Sequence, residues 1–292
     1  MAVSLAIILL LGLLANKLFE KLGLPGLLGM LILGVLVGPY GLGILQPNMI
    51  LISADLRKIA LIVILLRAGF GIKKDDLKKT GIIALKMSSI PCIVEGLFVA
   101  FASMKFLNFT FIQGGILGFI IAAVSPAVVV PSMLGLIENN VGSKKGIPTL
   151  ILAGASIDDV FAITIFSAFL GLYSGSHVNI ATQLLGIPIS IVLGITIGVV
   201  IGFILIKLFE RYHIHDAKKV LLILGFSILL SELENMIEMK LQIATLLGVM
   251  AAGFVIMEKL PNIGQKLSDK FSDIWVFAQI LLFVLVGAQV NI

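Results

Sequence analysis

The sequence predicts an all-helical, polytopic membrane protein with about ten transmembrane helices. The chain is 59% hydrophobic and only 13% charged, and its mean hydropathy is +1.17. Soluble domains carry about 25% charged residues. The apolar residues also form runs close to the roughly 20 residues that span a bilayer, and the basic residues cluster between these runs. A lipid bilayer is therefore the predicted surrounding of the chain.

Ten apolar runs define the predicted helices in order. The first run has no basic residue before it and no small-residue cleavage site at its end, so we expect a retained helix. The runs cover approximately residues 2 to 19, 24 to 39, 56 to 72, 81 to 107, 111 to 136, 147 to 173, 181 to 207, 219 to 237, 241 to 257 and 274 to 290.

The distribution of basic residues predicts the orientation. Most of the 21 Lys and Arg residues lie in the odd-numbered connections, and few lie in the even-numbered ones. Because cytoplasmic loops are enriched in Lys and Arg, the odd connections should be cytoplasmic and the N-terminus outside. The net charge of +5 is thus a topology signal rather than an indication of nucleic-acid binding. The odd connections hold Lys17, Lys21, Lys73, Lys74, Lys78, Lys79, Lys144, Lys145, Lys207, Arg211, Lys218, Lys219, Lys259, Lys266 and Lys270, and the even ones hold Arg57, Lys58, Lys105 and Lys240.

Two adjacent acids, Asp158 and Asp159, lie near the middle of the sixth run. An ionised carboxylate at that depth costs about 2.5 to 3.5 kcal/mol, so the pair should face a water-filled cavity or a cation, or be protonated. Neighbouring helical positions point about 100° apart, so the two acids should have different roles. Carboxylates bind hard cations and protons. Competition between the two at one site is a mechanism of exchange; the alternative is a structural pair.

The fifth run carries two prolines, Pro126 and Pro131, beside Ser125. Proline removes a backbone donor and clashes with the preceding turn, so the stretch from Ser125 to Pro131 should be unwound. Unwound backbone at membrane depth survives only where it is buried or lines a cavity. Transporters use such breaks to present helix ends to the substrate. A simple proline kink is the alternative.

Glu95 is a further acid near mid-depth, in the fourth run. It is either a third protonatable group or one member of a charge pair that holds two helices together. A buried carboxylate needs a partner in either case, and we favour the charge pair.

Several function classes have no motif in this chain. It contains no glycine-rich phosphate loop, no Ser-His-Asp arrangement and no paired-Cys metal motif. The single Cys92 cannot form an internal disulfide. We therefore predict neither an enzyme nor a protein that binds nucleotide, nucleic acid or a cofactor.

Together these motifs resemble the monovalent cation:proton antiporter superfamily, and most closely the sodium/hydrogen antiporter group that includes the animal NHA exchangers. The resemblance extends from about residue 10 to the C-terminus. It rests on Val124 to Leu134, on Lys145-Gly-Ile-Pro-Thr-Leu, on Gly154 to Thr164, on Leu66-Arg-Ala-Gly-Phe-Gly, on Pro91-Cys-Ile-Val-Glu and on Leu28-Gly-Met-Leu-Ile-Leu-Gly-Val-Leu-Val-Gly-Pro.

The resemblance implies dimer-forming helices, a mobile core and elevator-like alternating access, in a homodimer of the cell (plasma) membrane. It implies that Asp159 is the main carboxylate for the transported Na⁺ or Li⁺, with Asp158 as its neighbour. It further implies that Ser125 and Pro126 belong to the helix break, that Ser125 takes part with the two aspartates in binding the ion or proton, and that Glu95 belongs to a charge pair. Family members continue for about three more helices, including a second broken helix. The domain over residues 1–292 is therefore expected to be incomplete at its C-terminus.

The expected function of the complete protein is exchange of sodium or lithium for protons. Two other transport functions remain open, a potassium/proton antiporter and a sodium-coupled symporter of similar fold. The adjacent acids favour exchange of a small cation. A third possibility is an inactive fragment that needs a partner chain to supply the remaining helices.

Overall fold

The computed structural model describes residues 1–174, 180–212, 214–236 and 243–291. In this part of the chain every regular element is helical, as predicted. A short 3₁₀ turn, Ser143–Lys145, precedes the eighth α-helix. The α-helices are α1 Ala2–Lys21, α2 Gly26–Val37, α3 Pro47–Leu51, α4 Ser53–Gly71, α5 Lys74–Leu107, α6 Phe111–Ala122, α7 Pro126–Glu138, α8 Ile147–Tyr173, α9 Ile180–Arg211, α10 Asp216–Met236, α11 Thr245–Lys259 and α12 Pro261–Gly287.

Each predicted run corresponds to a helix, and the fifth run corresponds to two, α6 and α7. Within the described residues, six segments are long and apolar enough to cross a membrane. Lys240, the end of the eighth run at residue 237 and the start of the ninth run at residue 241 lie outside the described part. The six segments are Ala2–Lys21, Gly81–Leu107, Phe111–Glu138, Ile147–Tyr173, Leu184–Arg211 and Pro261–Gly287.

Two helices begin earlier than their apolar runs. Helix α5 begins at Lys74 instead of near residue 81, and α12 begins at Pro261 instead of near residue 274. The extra turns are rich in charged side chains, which a search for apolar runs cannot detect although they are compatible with a helix. As a result Lys266 and Lys270, predicted to lie in a connection, belong to α12.

The chain divides into two compact units. The first comprises Met1–Ile64 and Asp269–Ile292. In it, Gly34 of α2 and Gly287 of α12 allow close contact of the two helices, since a Cβ on Gly34 would collide with the Val284 carbonyl. Small residues at such contacts are typical of helix packing in membranes.

The second unit, Leu65–Ser268, contains a bundle of α5, α6 and α8. Cys92, Phe119 and Ala162 form its buried core, one from each helix. The Phe119 ring stacks on Phe169 with centroids 5.8 Å apart. This packing fixes the end of α6 beside the middle of α8, where the two aspartates lie.

Helices α9 and α11 of the second unit pack closely through glycines. Gly194 and Gly198 of α9 face Ala244 and Gly248 near the start of α11. A Cβ on Gly198 would collide with the backbone of Gly248, so this contact requires glycine. The start of α11 is therefore held against α9.

We expect Gly198→Ala to destabilise the protein by about 1 to 3 kcal/mol, because overpacking a close helix contact forces the backbones apart. Gly186→Ala, on the same helix, is the control, since a Cβ there meets open space. Thermal unfolding in detergent should show a lower midpoint for Gly198→Ala alone. Equal midpoints for the two variants would contradict the close approach.

Polar contacts join several odd-numbered connections at one end of the second unit. Lys74 Nζ lies 3.0 Å from Glu258 Oε1, which links the start of α5 to the end of α11. Thr149 Oγ1 donates a long hydrogen bond of 3.4 Å to Asp76 Oδ2, which links α8 to α5. The connections before α5, before α8 and after α11 therefore share one side, as the pattern of basic residues predicts.

Asp216, at the start of α10, interacts with basic side chains of α10 and α12. Its Oδ1 accepts a hydrogen bond of 3.0 Å from Lys219 Nζ. This bond and the nearby charges of Lys219 and Lys266 hold the pKa of Asp216 below its usual value. The interaction with Lys266 brings the start of α10 near the start of α12.

Candidate ion-binding site

The predicted broken helix is present between α6 and α7. Helix α6 ends at Ala122, and α7 begins at Pro126. Ala123 and Ser125 between them are extended, with ψ of 120° and 111°. Pro126 occupies the first position of α7, where its missing N–H would have had no helical acceptor. The break therefore leaves backbone groups free to interact with neighbouring side chains.

The break is shorter than predicted, and Pro131 is not part of it. Pro131 lies inside the continuous helix α7. One missing donor there removes one helical hydrogen bond, and the surrounding helix tolerates this loss. The unwound segment thus ends at Ser125 and does not reach Pro131.

Ser125 is the N-cap residue of α7. Its carbonyl accepts hydrogen bonds from the backbone of Val128 at 3.1 Å and Val129 at 3.2 Å. The side chain is exposed and makes no capping bond. It is not among the residues that line the cavities beside the two aspartates, and its role in ion binding stays a prediction.

Asp158 is tied to the backbone of the break. The residue is only 4% exposed, and its Oδ2 accepts a hydrogen bond of 2.9 Å from the Val124 amide. This bond satisfies a donor that has no helical partner. Asp158 therefore holds the unwound segment against α8.

A cavity of about 190 Å³ opens beside Asp158. Its lining includes Cys92 and Glu95 of α5 together with Val124 of the break. Glu95 thus lines the same cavity as Asp158. Among the residues that the structure describes, no Lys or Arg forms an ion pair with Glu95, so its charge-pair role stays a prediction.

Asp159 faces a different cavity, of about 110 Å³. Hydroxyl side chains from three helices line it, namely Ser156 of α8, Ser190 of α9 and Thr245 of α11. Asp159 is the one ionisable side chain among the described lining residues. The charge available to a bound cation in this cavity therefore comes from Asp159.

The hydroxyl-bearing positions are fixed by local contacts. Ser156 Oγ donates to the Leu152 carbonyl at 3.0 Å and lies 3.2 Å from Met250 Sδ of α11. The Ser190 carbonyl accepts from the Ala244 amide at 3.2 Å, immediately before α11 begins. These contacts hold α8, α9 and α11 around the cavity.

Sequence reasoning missed Ser156, Ser190 and Thr245. The signal was present but weak, since each is a hydroxyl residue with apolar neighbours on both sides in the sequence. Such residues commonly bond to their own helix, as Ser156 does. Only the packing of three distant segments brings them to one carboxylate.

The two acids therefore have separate surroundings, as the 100° offset predicts. Asp158 bonds to the helix break, whereas Asp159 points to a cavity with hydroxyl oxygens. Carboxylate and hydroxyl oxygens are suitable ligands for a hard cation such as Na⁺. A carboxylate that binds Na⁺ when ionised also accepts a proton, so one cavity can serve both ions.

Residues 5–292 match the family profile described as "Sodium/hydrogen exchanger, transmembrane". The chain belongs to the sodium/hydrogen exchanger family. Its relatives include human sodium/hydrogen exchanger 9B2, with 35% identity over 279 residues, 92% of this chain and 50% of that protein. Human sodium/hydrogen exchanger 9B1 shares 34% identity over 279 residues, 92% of this chain and 52% of that protein.

A solved exchanger structure shows the same fold. The sodium proton antiporter MjNhaP1 from Methanocaldococcus jannaschii superposes with a TM-score of 0.77 at 24% sequence identity, over 97% of this chain and 69% of that chain. The predicted all-helical antiporter fold is thereby confirmed. The chain spans about half the length of the curated exchanger relatives it matches.

Proposed function

We propose that the protein to which this chain belongs exchanges Na⁺ for H⁺ across a membrane, with Asp159 as the shared binding group. The observation that supports this proposal most directly is the cavity beside Asp159. Among its described lining residues Asp159 is the one ionisable side chain, and the others are hydroxyl and apolar groups. Membership of the sodium/hydrogen exchanger family supports this assignment. Li⁺, a smaller hard cation, is a second expected substrate.

The contacts also support different roles for the adjacent acids Asp158 and Asp159. Asp158 fixes the break between α6 and α7, and Asp159 binds Na⁺ or H⁺ from the other cavity. We infer that the second unit, which holds both acids, moves as the core in alternating access. The first unit would supply the dimer-forming helices of a homodimer.

The proposed orientation follows from charge. The start of α5 contacts both the start of α8 and the end of α11. Basic side chains lie at these helix ends, which favours the cytoplasmic side for them. The N-terminus is then outside, and a location in the plasma membrane is the corresponding proposal.

The function can be tested in sealed vesicles that contain the purified full-length protein to which this chain belongs and a fluorescent pH indicator. Adding NaCl to the outside of acid-loaded vesicles should raise the internal pH. Choline chloride controls for ionic strength, and KCl tests the potassium/proton alternative. A response to KCl but not to NaCl would contradict sodium exchange, and no response to any cation would contradict exchange altogether.

Proton concentration should compete with sodium. Burial favours the protonated form of a carboxyl group in general, so a proton must leave the shared site before Na⁺ binds. Where the site is mostly protonated, each drop of one pH unit should raise the apparent KM for Na⁺ about tenfold. The measurement is the sodium dependence of exchange between about pH 6 and 9, the range in which buried carboxyl groups titrate. A KM independent of pH would place the proton on another group, with Glu95 as the next candidate.

A further inference from the structure

A groove in the second unit combines an apolar wall with a basic rim. It lies where α5 begins and α11 ends, beside the last third of α9, and has a volume of about 470 Å³. Leu77, Phe203 and Phe254 form the apolar wall. None of its residues lines the cavities beside the two aspartates.

The rim contains three lysines and one glutamate. Lys74 and Lys78 lie one turn apart on α5, and Lys259 is the last residue of α11. Glu258 pairs with Lys74 at 3.0 Å, and their side chains are 34% and 49% exposed. An ion pair this exposed contributes little to stability. The rim therefore carries a net positive charge and can accept a further anion.

The wall fits a hydrocarbon chain. Phe203 is 42% exposed and lies just beyond Gly202, which faces Val255 of α11. A groove lined by both ammonium groups and apolar side chains matches a molecule that has an anionic head and an aliphatic tail. Inorganic phosphate satisfies only the rim.

The position of the groove favours a lipid of one leaflet. Its rim belongs to the connections before α5 and after α11, which the basic residues assign to the cytoplasmic side. That leaflet is rich in anionic phospholipids, and basic pockets between transmembrane helices bind their headgroups.

We propose that this groove binds one anionic phospholipid. Its phosphate lies among Lys74, Lys78 and Lys259, and an acyl chain lies along Phe203 and Phe254. Glu258 competes with the phosphate for Lys74, so binding replaces one anionic partner of Lys74 by another. This site goes beyond the proposed exchange function and does not depend on it.

The test measures lipid binding to the purified protein in non-ionic detergent by native mass spectrometry and by thermal unfolding. Dioleoylphosphatidylglycerol should bind and raise the unfolding temperature, whereas dioleoylphosphatidylcholine and inorganic phosphate should not. The double variant Lys78→Gln, Lys259→Gln should bind the anionic lipid about 30-fold more weakly, at the usual contribution of each lysine. Lys144→Gln, Lys145→Gln is the matched control, with two lysines outside the groove.

Glu258→Gln separates a lipid site from a structural ion pair. It removes the competing carboxylate, so phosphatidylglycerol should bind more tightly than to the unaltered protein. Unchanged or weaker binding in Glu258→Gln would overturn the proposal. Equal stabilisation by phosphatidylcholine or inorganic phosphate, or equal loss in the Lys144, Lys145 control, would overturn it as well.

Discussion

Asp159→Asn is expected to abolish sodium-driven proton movement and to leave folding intact. Asparagine has nearly the shape of aspartate but can neither release a proton nor supply negative charge to Na⁺. In vesicles, the response to NaCl should fall to that of protein-free vesicles. The unfolding temperature should be unchanged or higher, because a carboxylate at membrane depth costs about 2.5 to 3.5 kcal/mol when ionised.

Asp75→Asn is the control for this substitution. Asp75 lies in the first turn of α5 and is exposed, away from both aspartate cavities. Exchange should continue in this variant. Exchange at the unaltered rate by well-folded Asp159→Asn would remove Asp159 from the mechanism.

The hydroxyl groups around Asp159 show where prediction from sequence ends. The sequence points to the adjacent acids because charged residues at membrane depth are rare and costly. Ser190 and Thr245 carry no such cost, since a hydroxyl can bond to its own helix. Their proximity to Asp159 depends on how α9 and α11 pack, and the glycines that permit this packing are common in all membrane helices.

The helix break shows a similar limit. Two prolines predict a disruption in the fifth run, but they do not locate it to the residue. Pro126 suits the start of a helix, whereas Pro131 is accommodated inside one. The deciding factor is the Asp158 carboxylate, which offers the Val124 amide an acceptor at 2.9 Å. That contact joins residues 34 positions apart and has no local signature in the sequence.

The fold itself is easier to predict from the sequence than the site, because a membrane-spanning helix needs about 20 apolar residues whatever its neighbours are. The short helix α3, Pro47–Leu51, was missed because five residues give no periodic signal. The charged starts of α5 and α12 were missed because helical structure continues beyond the apolar zone. Apolar runs thus predict where a chain can cross a membrane better than where its helices begin.

Asp158→Ala is expected to destabilise the protein, in contrast to Asp159→Ala. Removing the Asp158 carboxylate leaves the Val124 amide without its acceptor, and the loss of one hydrogen bond typically costs about 0.5 to 1.5 kcal/mol. Asp159 makes no hydrogen bond among the contacts that the structure describes, so Asp159→Ala should lose exchange but keep its unfolding temperature. Thermal unfolding of both variants in one detergent compares two acids of the same helix.

Asp158→Asn separates the structural role of Asp158 from a role in ion binding. The amide oxygen of asparagine can still accept from the Val124 amide, so this variant should unfold close to the unaltered protein. Exchange should be weakened, because the cavity shared with Glu95 loses a negative charge. If Asp158→Asn exchanged sodium normally, Asp158 would serve only to hold the break. If Asp158→Asn unfolded as early as Asp158→Ala, the charge of the carboxylate, rather than the single hydrogen bond, would hold α8 against the broken helix.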